Sequence, residues 1–215
     1  ACGTPYFDEE LAVAQTAAHR IIVSESSAIL ASIADALGLV FLSDEPIWYV
    51  HPETDEQKTY YGDCVIARDT DRTRITADDL LLVLEVVSTN DRRKELKDTR
   101  FQRLLNEYNA VPEFALVFPE LADARALTWH RLRDDGQYEE RIVAPGGRVR
   151  SEVVPELEFE VLARERWAPG YKVDIYHRGE LRPRLAGERA RAEQEKARAD
   201  RLAERLREAG VAPDD

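Results

Sequence analysis

The 215-residue chain carries 42 Asp and Glu against 30 Lys and Arg, a formal net charge of -12, with 33% charged and 44% apolar residues. That length suits one well-cored domain plus an appendage, and the acidity argues against a broad nucleic-acid surface, because such surfaces bind by neutralising phosphates with Lys and Arg. Two cysteines are too few for a disulfide framework or a zinc site, and with no signal peptide and no apolar run near the roughly 20 residues of a membrane helix, a cytoplasmic protein without membrane contact is expected.

Residues 7–37 read as mainly helical. Asp8 is placed to cap a first helix through "DEELAVAQTAAHRII". A second, "SAILASIADALG", repeats Ile29, Ile33 and Leu37 at four-residue steps before Gly38, which suits a left-handed cap. The period then changes. "LVFL", "IWYV", "TYYGDCVIA" and "LLLVLEVV" are β-branched and aromatic runs separated by Pro, Asp and Thr, as strands are. A helix is predicted from Asp91 to Tyr108, with Asn90 or Asp91 as N-cap and Phe101, Leu104, Leu105 and Tyr108 as its apolar stripe. "PEFALVF" is a further buried strand. "RALTWHRL" and "YEERIVA" form a hairpin through "RDDGQ", and "GGRVRSEVVPELEFEV" reads as turn and edge-strand material. The order α-β-β-β-α-β with a β extension predicts an α/β fold, a mixed central sheet flanked by helices.

Residues 186–215 differ in kind from the domain expected over 1–185. Their Ala, Glu and Arg content, in "AGERARAEQEKARADRLAERLREAG", favours a long charged helix. Ala192, Ala199, Leu202, Leu206 and Ala209 give a thin seam for a short coiled coil, with a single solvated helix as the alternative.

Within "LLLVLEVV" seven apolar residues surround one carboxylate, Glu85. An unpaired carboxylate is costly to remove from water, so Glu85 is expected to be neutralised, ion-paired or bound to a metal. Alternation sets Leu81, Val83, Glu85 and Val87 on one face and Leu80, Leu82, Leu84 and Val86 on the other. In the earlier strand it sets Asp63 with Tyr61, Val65 and Ala67. Side by side, Asp63 and Glu85 suit one Mg²⁺, which prefers oxygen ligands and keeps several waters. A metal so held activates water and neutralises charge on a phosphodiester.

Such a site calls for a lysine as well. Two residues after Glu85 stands Val87, but steps of four and three back from Phe101 reach Lys97 and Lys94, whose side chains lean toward the helix N-terminus. Ser88 lies just beyond the strand, in reach of the helix start or a metal-bound water. The competing readings make Asp63 a turn or cap residue and pair Glu85 with Arg92 or Arg100.

The succession "GDCVIA", "LLLVLEVVSTN", "DRRKELKDTRFQRLLNEYNAVPEFALVF" resembles the Uma-type restriction endonuclease family, which has a PD-(D/E)XK nuclease core, over roughly residues 15–165. The resemblance implies a restriction-endonuclease-like fold and hydrolysis of nucleic acid, DNA in the first instance, with Mg²⁺ or Mn²⁺ in a local cleft. It makes Asp63 and Glu85 the metal-binding acids, Val86 a carbonyl ligand and Ser88 the family serine. The family carries its lysine on the following helix. Counting back without gaps from "VPEF" puts Gln102 in that slot, whereas a shifted alignment gives the role to Lys97. Gly62 stands where the family has proline and Ala110 where it has glycine.

Two classes of function follow. One is a metal-dependent nuclease, acting as a homodimer whose two sites cut two strands. The other is a degraded nuclease fold kept as a nucleic-acid-binding or protein-interaction module, to which Gln102 and the acidity point. In the first helical segment His19 reads as structural and Glu25 as a surface carboxylate, with reach to a metal site as its alternative, and "DRRKELKDTR" reads as a candidate phosphate contact or an ordinary charged helix surface. His51, His130 and His177 show no ligand spacing.

Overall fold

In the computed structural model, which describes residues 16–69, 74–87 and 92–184, the N-terminal helical segment is one rod, α1 (Ala17–Leu37). Thr16 caps it by accepting the His19 N–H at 3.1 Å, and Gly38 closes it at φ 66°, its N–H reaching the Ala34 and Asp35 carbonyls. The end of the first expected helix, from Ala17, runs without a break into the second, and residues 8–15 lie outside the described residues. Residues 23–26 do not break the rod because Glu25 and Ser26 are buried with Ile22 and Ile29. Asp8 lies outside the described residues.

Strand β1 (Leu39–Leu42) is followed by a separate hairpin, β2 (Ile47–Val50) with β3 (Gln57–Tyr60). The single strand expected from "TYYGDCVIA" is therefore two: β3 stops at Tyr60 and β4 (Cys64–Arg68) begins in a different sheet. The β1–β2 turn causes the break. Asp44 N–H donates to the Gly62 carbonyl (3.1 Å) and Ser43 Oγ to the Asp63 carbonyl (2.8 Å), so residues 61–63 bend.

Strands β5 (Leu80–Val86), β6 (Glu113–Val117), β7 (Leu127–Leu132) and β8 (Tyr138–Val143) complete a six-stranded mixed sheet in the order β1-β4-β5-β6-β7-β8. Only β5 and β6 pair in parallel, and the helical segment 92–108 makes the crossover that parallel pairing requires. A second sheet, β12-β11-β10-β9, joins β9 (Arg148–Arg150), β10 (Leu157–Val161), β11 (Val173–His177) and β12 (Glu180–Leu181). The "LEFEV" segment is thus an interior strand, not edge material, and its alternate Leu157, Phe159 and Val161 are buried.

Apolar clusters cover both faces of the larger sheet, as a mixed α/β architecture requires. Leu82, Leu84 and Val86 point to α1 and the second sheet, whereas Val83 and Val87 point to Phe101 and Leu105. Alternation fails at the start of β5. Ile66 pairs with Leu82 and Ala67 with Leu80, so Leu81 is the extra residue of a bulge. Leu80 therefore joins the face of Val83, and Leu81 the face of Leu82.

The crossover is not a uniform helix. It runs α2 (Arg92–Leu96), a π-helical turn over Lys97–Gln102, then α3 (Arg103–Tyr108). The expected stripe is half right. Phe101 and Leu105 are buried, but Leu104 and Tyr108 are 47% and 50% exposed, and Gln102 and Asn106 take their places inside. The Asn106 side chain is used at both ends. Asn106 Nδ2 donates to the Gln102 carbonyl (2.8 Å), and Tyr49 Oη donates to Asn106 Oδ1 (2.9 Å). Asn109 then copies a strand partner for β2, accepting the Val50 N–H and donating to the Val50 carbonyl, each at 2.8 Å.

No helix among the described residues is long and apolar enough to cross a membrane. The charged helix and its seam over 186–210 fall outside the described residues.

The Tyr49–Asn106 bond predicts a specific stability pattern. Tyr49→Phe or Asn106→Leu alone leaves a buried partner unsatisfied and should cost about 1–3 kcal/mol. The double substitution should cost less than the sum of the two, read from urea unfolding of all four proteins.

Candidate active site

Strand pairing places the two candidate acids opposite each other. Cys64 pairs with Leu84 and Val65 with Val83, so the next antiparallel step sets Asp63 across from Glu85. Neither is held by an ordinary ladder there. The Val86 N–H donates to Asp63 Oδ2 at 2.8 Å, and the Asp63 N–H donates to the Glu85 carboxylate. Each side chain thus satisfies the backbone of the other strand. The N–H and C=O of one residue leave an extended strand on the same edge, so the Val86 carbonyl also faces the Asp63 side.

Gly62 lets the carboxylate in. A Cβ there would lie 2.7 Å from Val65 Cγ2 and 3.3 Å from Glu85 Oε1. Glycine at this position leaves room for Val65 and for the Glu85 carboxylate.

Glu85 is 6% exposed, and its carboxyl is pushed well above the usual carboxylate range. Burial is the largest cause, followed by the negative charges of Asp63 and Asp98. Lys97 and the Asp63 N–H oppose the shift. Among the described residues, Lys97 is the cation that acts on Glu85. Arg92 and Arg100 are exposed, so the arginine-paired reading of Glu85 is not what the structure brings together.

The π-turn explains how Lys97 comes to lie here. Five residues span about 140° beyond a full turn on an α-helix, but an i→i+5 turn brings residue i+5 nearly above residue i. Lys97 and Gln102 bound that turn, so the charged residue beside Glu85 and the residue in the family lysine slot share a side of the helix. Gln102 is buried at 4% exposure. Counting by alignment selects Gln102, and helical phase selects Lys97.

Two neighbours were not expected at the site. His19 Nε2 stands 3.7 Å from Asp63 Oδ2, with its Nδ1 buried and without a hydrogen-bond partner among the described residues. Asp98 contributes the second negative charge felt by Glu85. Its only signal in the sequence is adjacency to Lys97. Glu25 is buried in α1, not on the surface. Ser88 lies outside the described residues, as does the side chain of Lys94.

Among the described residues no three His, Cys, Asp or Glu side chains gather closely enough to hold an ion unaided. The donor set of Asp63, Glu85 and the Val86 carbonyl is nonetheless all oxygen. It fits a hard divalent cation that draws the rest of its shell from water and phosphate. The clash between Asp63 and buried Glu85 is also what such a cation would relieve.

Comparison with known proteins gives three findings. The family model described as "Uma2: Putative restriction endonuclease" matches residues 4–164. No curated protein matches the chain. A solved structure described as a "putative nuclease belonging to DUF820" from Anabaena variabilis is similar at 14% identity and a TM-score of 0.46, covering 63% of this chain and 73% of that one.

Because Glu85 binds its proton more tightly folded than unfolded, the stability it contributes is complete below about pH 4.5, the ordinary value, and is lost as pH rises through the higher folded value. Glu85→Gln removes this loss. Thermal melts in chelator should show the variant more stable than the wild type under alkaline conditions, with the gap closing toward pH 4.5.

Proposed function

The chain belongs to the Uma2 family of restriction-endonuclease-like proteins, whose model spans residues 4–164, and from that membership we propose a nuclease that hydrolyses phosphodiester bonds with a divalent cation held by Asp63, Glu85 and the Val86 carbonyl. The observation that carries the reading is the reciprocal bonding of Asp63 and Glu85 across the ends of β4 and β5. It holds two acids at one point with their backbones already satisfied. Mg²⁺ is the first candidate and Mn²⁺ the second.

When bound, the cation would supply charge neutralisation at the phosphate and a more acidic attacking water. The remaining work falls to this chain's side chains. Asp63 and Glu85 would hold the cation, whose charge would offset the repulsion from Asp63 and Asp98 that adds to burial in raising the Glu85 pKa. His19 steadies Asp63 from α1. Lys97, the ammonium that acts on Glu85, is the candidate for stabilising charge that develops on the transferred phosphoryl oxygens. Gln102, buried beside it, contributes no charge. The net charge of -12 confines nucleic acid to a local cleft at the strand ends, where the cation offsets the acids. DNA is the expected substrate and a homodimer the expected cutting unit.

Gln102 in the lysine slot favours a second reading, a metal-binding fold without turnover. One experiment separates the two. Mn²⁺ and Mg²⁺ are titrated calorimetrically into wild type, Asp63→Asn, Glu85→Gln and Lys97→Gln, beside a supercoiled-plasmid nicking assay. Metal binding lost in the first two variants, with Lys97→Gln still binding but nicking about 10²- to 10³-fold more slowly, supports the nuclease. Binding without nicking assigns the second reading, and binding that survives loss of either acid overturns both.

A further inference from the structure

Arg125 lies in the loop between β6 and β7, away from the acids, and is tied on every side. Its Nη2 donates to Glu95 Oε1 (2.7 Å) and to Asp123 Oδ2 (2.7 Å), and its Nε donates to Asp123 Oδ1 (3.0 Å). Its guanidinium lies over the Phe118 ring at 4.0 Å. The loop beneath it is equally fixed. Lys172, 1% exposed, donates from Nζ to the Asp123 carbonyl (2.8 Å) and the Arg125 carbonyl (2.9 Å), and its ammonium sits 4.4 Å from the centre of the Trp167 ring. A buried lysine spent on two backbone carbonyls makes this loop a rigid anchor, not a surface turn.

Among the described residues the anchor attaches to the crossover helix through Glu95. That residue sits two positions before Lys97, at the end of α2 where the π-turn begins. Its backbone carbonyl also accepts the Thr99 Oγ (2.6 Å) inside the same turn. On the other side, Phe118 directly follows β6, and β6 pairs with β5 so that Val117 stands opposite Val86 and accepts the Val87 N–H at 2.8 Å. A continuous chain of contacts therefore runs from the strand that bears Glu85, through β6 and Arg125, to the turn that bears Lys97.

We propose that the Arg125–Glu95 pair is a positioning strut that sets where Lys97 stands relative to Glu85, and so governs turnover without holding the metal. The inference rests on the nuclease reading for its catalytic consequence, but the strut itself is testable without activity. A surface ion pair is worth little. This one has a bidentate guanidinium on Asp123, an aromatic platform and a buried lysine below, which pre-organise the donor before Glu95 meets it.

Glu95→Ala is the leading variant, because its side chain is partly exposed and its loss leaves the Arg125–Asp123 unit intact. Arg125→Lys, which keeps the charge but not the fork, is the second. In nicking assays both should lower kcat about 10- to 100-fold, the scale expected for a small misplacement of a catalytic group. Mn²⁺ affinity should stay within about twofold, since Asp63 and Glu85 are untouched. Glu95→Ala combined with Lys97→Gln should be no slower than Lys97→Gln alone, because the strut acts through that lysine. Additive losses, or unchanged kcat in Glu95→Ala and Arg125→Lys, would overturn the proposal. If the wild type does not nick at all, the nuclease reading has failed and hydrogen exchange still judges the strut. Faster exchange confined to 92–102 in Glu95→Ala supports it, and exchange unchanged there refutes it.

Discussion

Everything at the candidate site depends on one constraint. Two carboxylates face each other at the ends of adjacent antiparallel strands, and each must be satisfied where the ladder between those strands runs out. The solution is reciprocal, with Val86 N–H on Asp63 and Asp63 N–H on Glu85. Strand ends normally give their last N–H groups to water or to a turn. Here two acids take them, so the backbone is quenched by groups that can also hold a cation. The bend at 61–63 and the missing Cβ of Gly62 are the local adjustments that let the pair form.

The surrounding elements turn that pair into a site. Asn109 docks the end of α3 on β2, Tyr49 docks β2 on Asn106, and Arg125 docks the start of the π-turn on the β6–β7 loop. The crossover helix is held at both ends by polar side chains acting as backbone or charge partners. Between those fixed ends lies the irregular turn that carries Lys97 and Asp98. A π-turn has poorer hydrogen-bond geometry than an α-turn and persists where the surroundings require it. Here they require the charged residues and buried Phe101 to share one side of the helix.

Much of the sheet was legible because hydrophobic period and turn chemistry act locally. "LVFL", "IWYV", "PEFALVF" and the hairpin around Gly136 form strands where their patterns say they should, and Gly38 takes the left-handed cap. The errors fall where tertiary contacts override a local pattern. "TYYGDCVIA" looks continuous because nothing local marks the pull of Ser43 and Asp44 on residues 62 and 63. Leu104 and Tyr108 look buried on an α-helical wheel, but the π-turn rotates the phase and admits Gln102 and Asn106 instead. Asp63 and Glu85 stood out because a carboxylate in an oily strand conflicts with its neighbours. His19 did not, because a histidine on a helix conflicts with nothing.

The charge in the strand can now be accounted for energetically. A permanently ionised Glu85 would meet the desolvation of a closed site and the repulsion of Asp63 and Asp98, with Lys97 and one N–H as its relief among the described residues. A protonated Glu85 avoids the desolvation and most of the repulsion, and still accepts the Asp63 N–H. Burial and the two neighbouring negative charges thus favour the proton on Glu85, which is how the strand tolerates the residue. Proton and divalent cation are alternative ways of neutralising the same pair. An arginine would have neutralised Glu85 permanently and left no reason for an ion to enter. Among the described residues Lys97, partly buried and opposed by its own neighbour Asp98, leaves the balance unfilled. That unfilled balance, in a chain with a net charge of -12, is the physical ground for the metal chemistry proposed at this point of the fold.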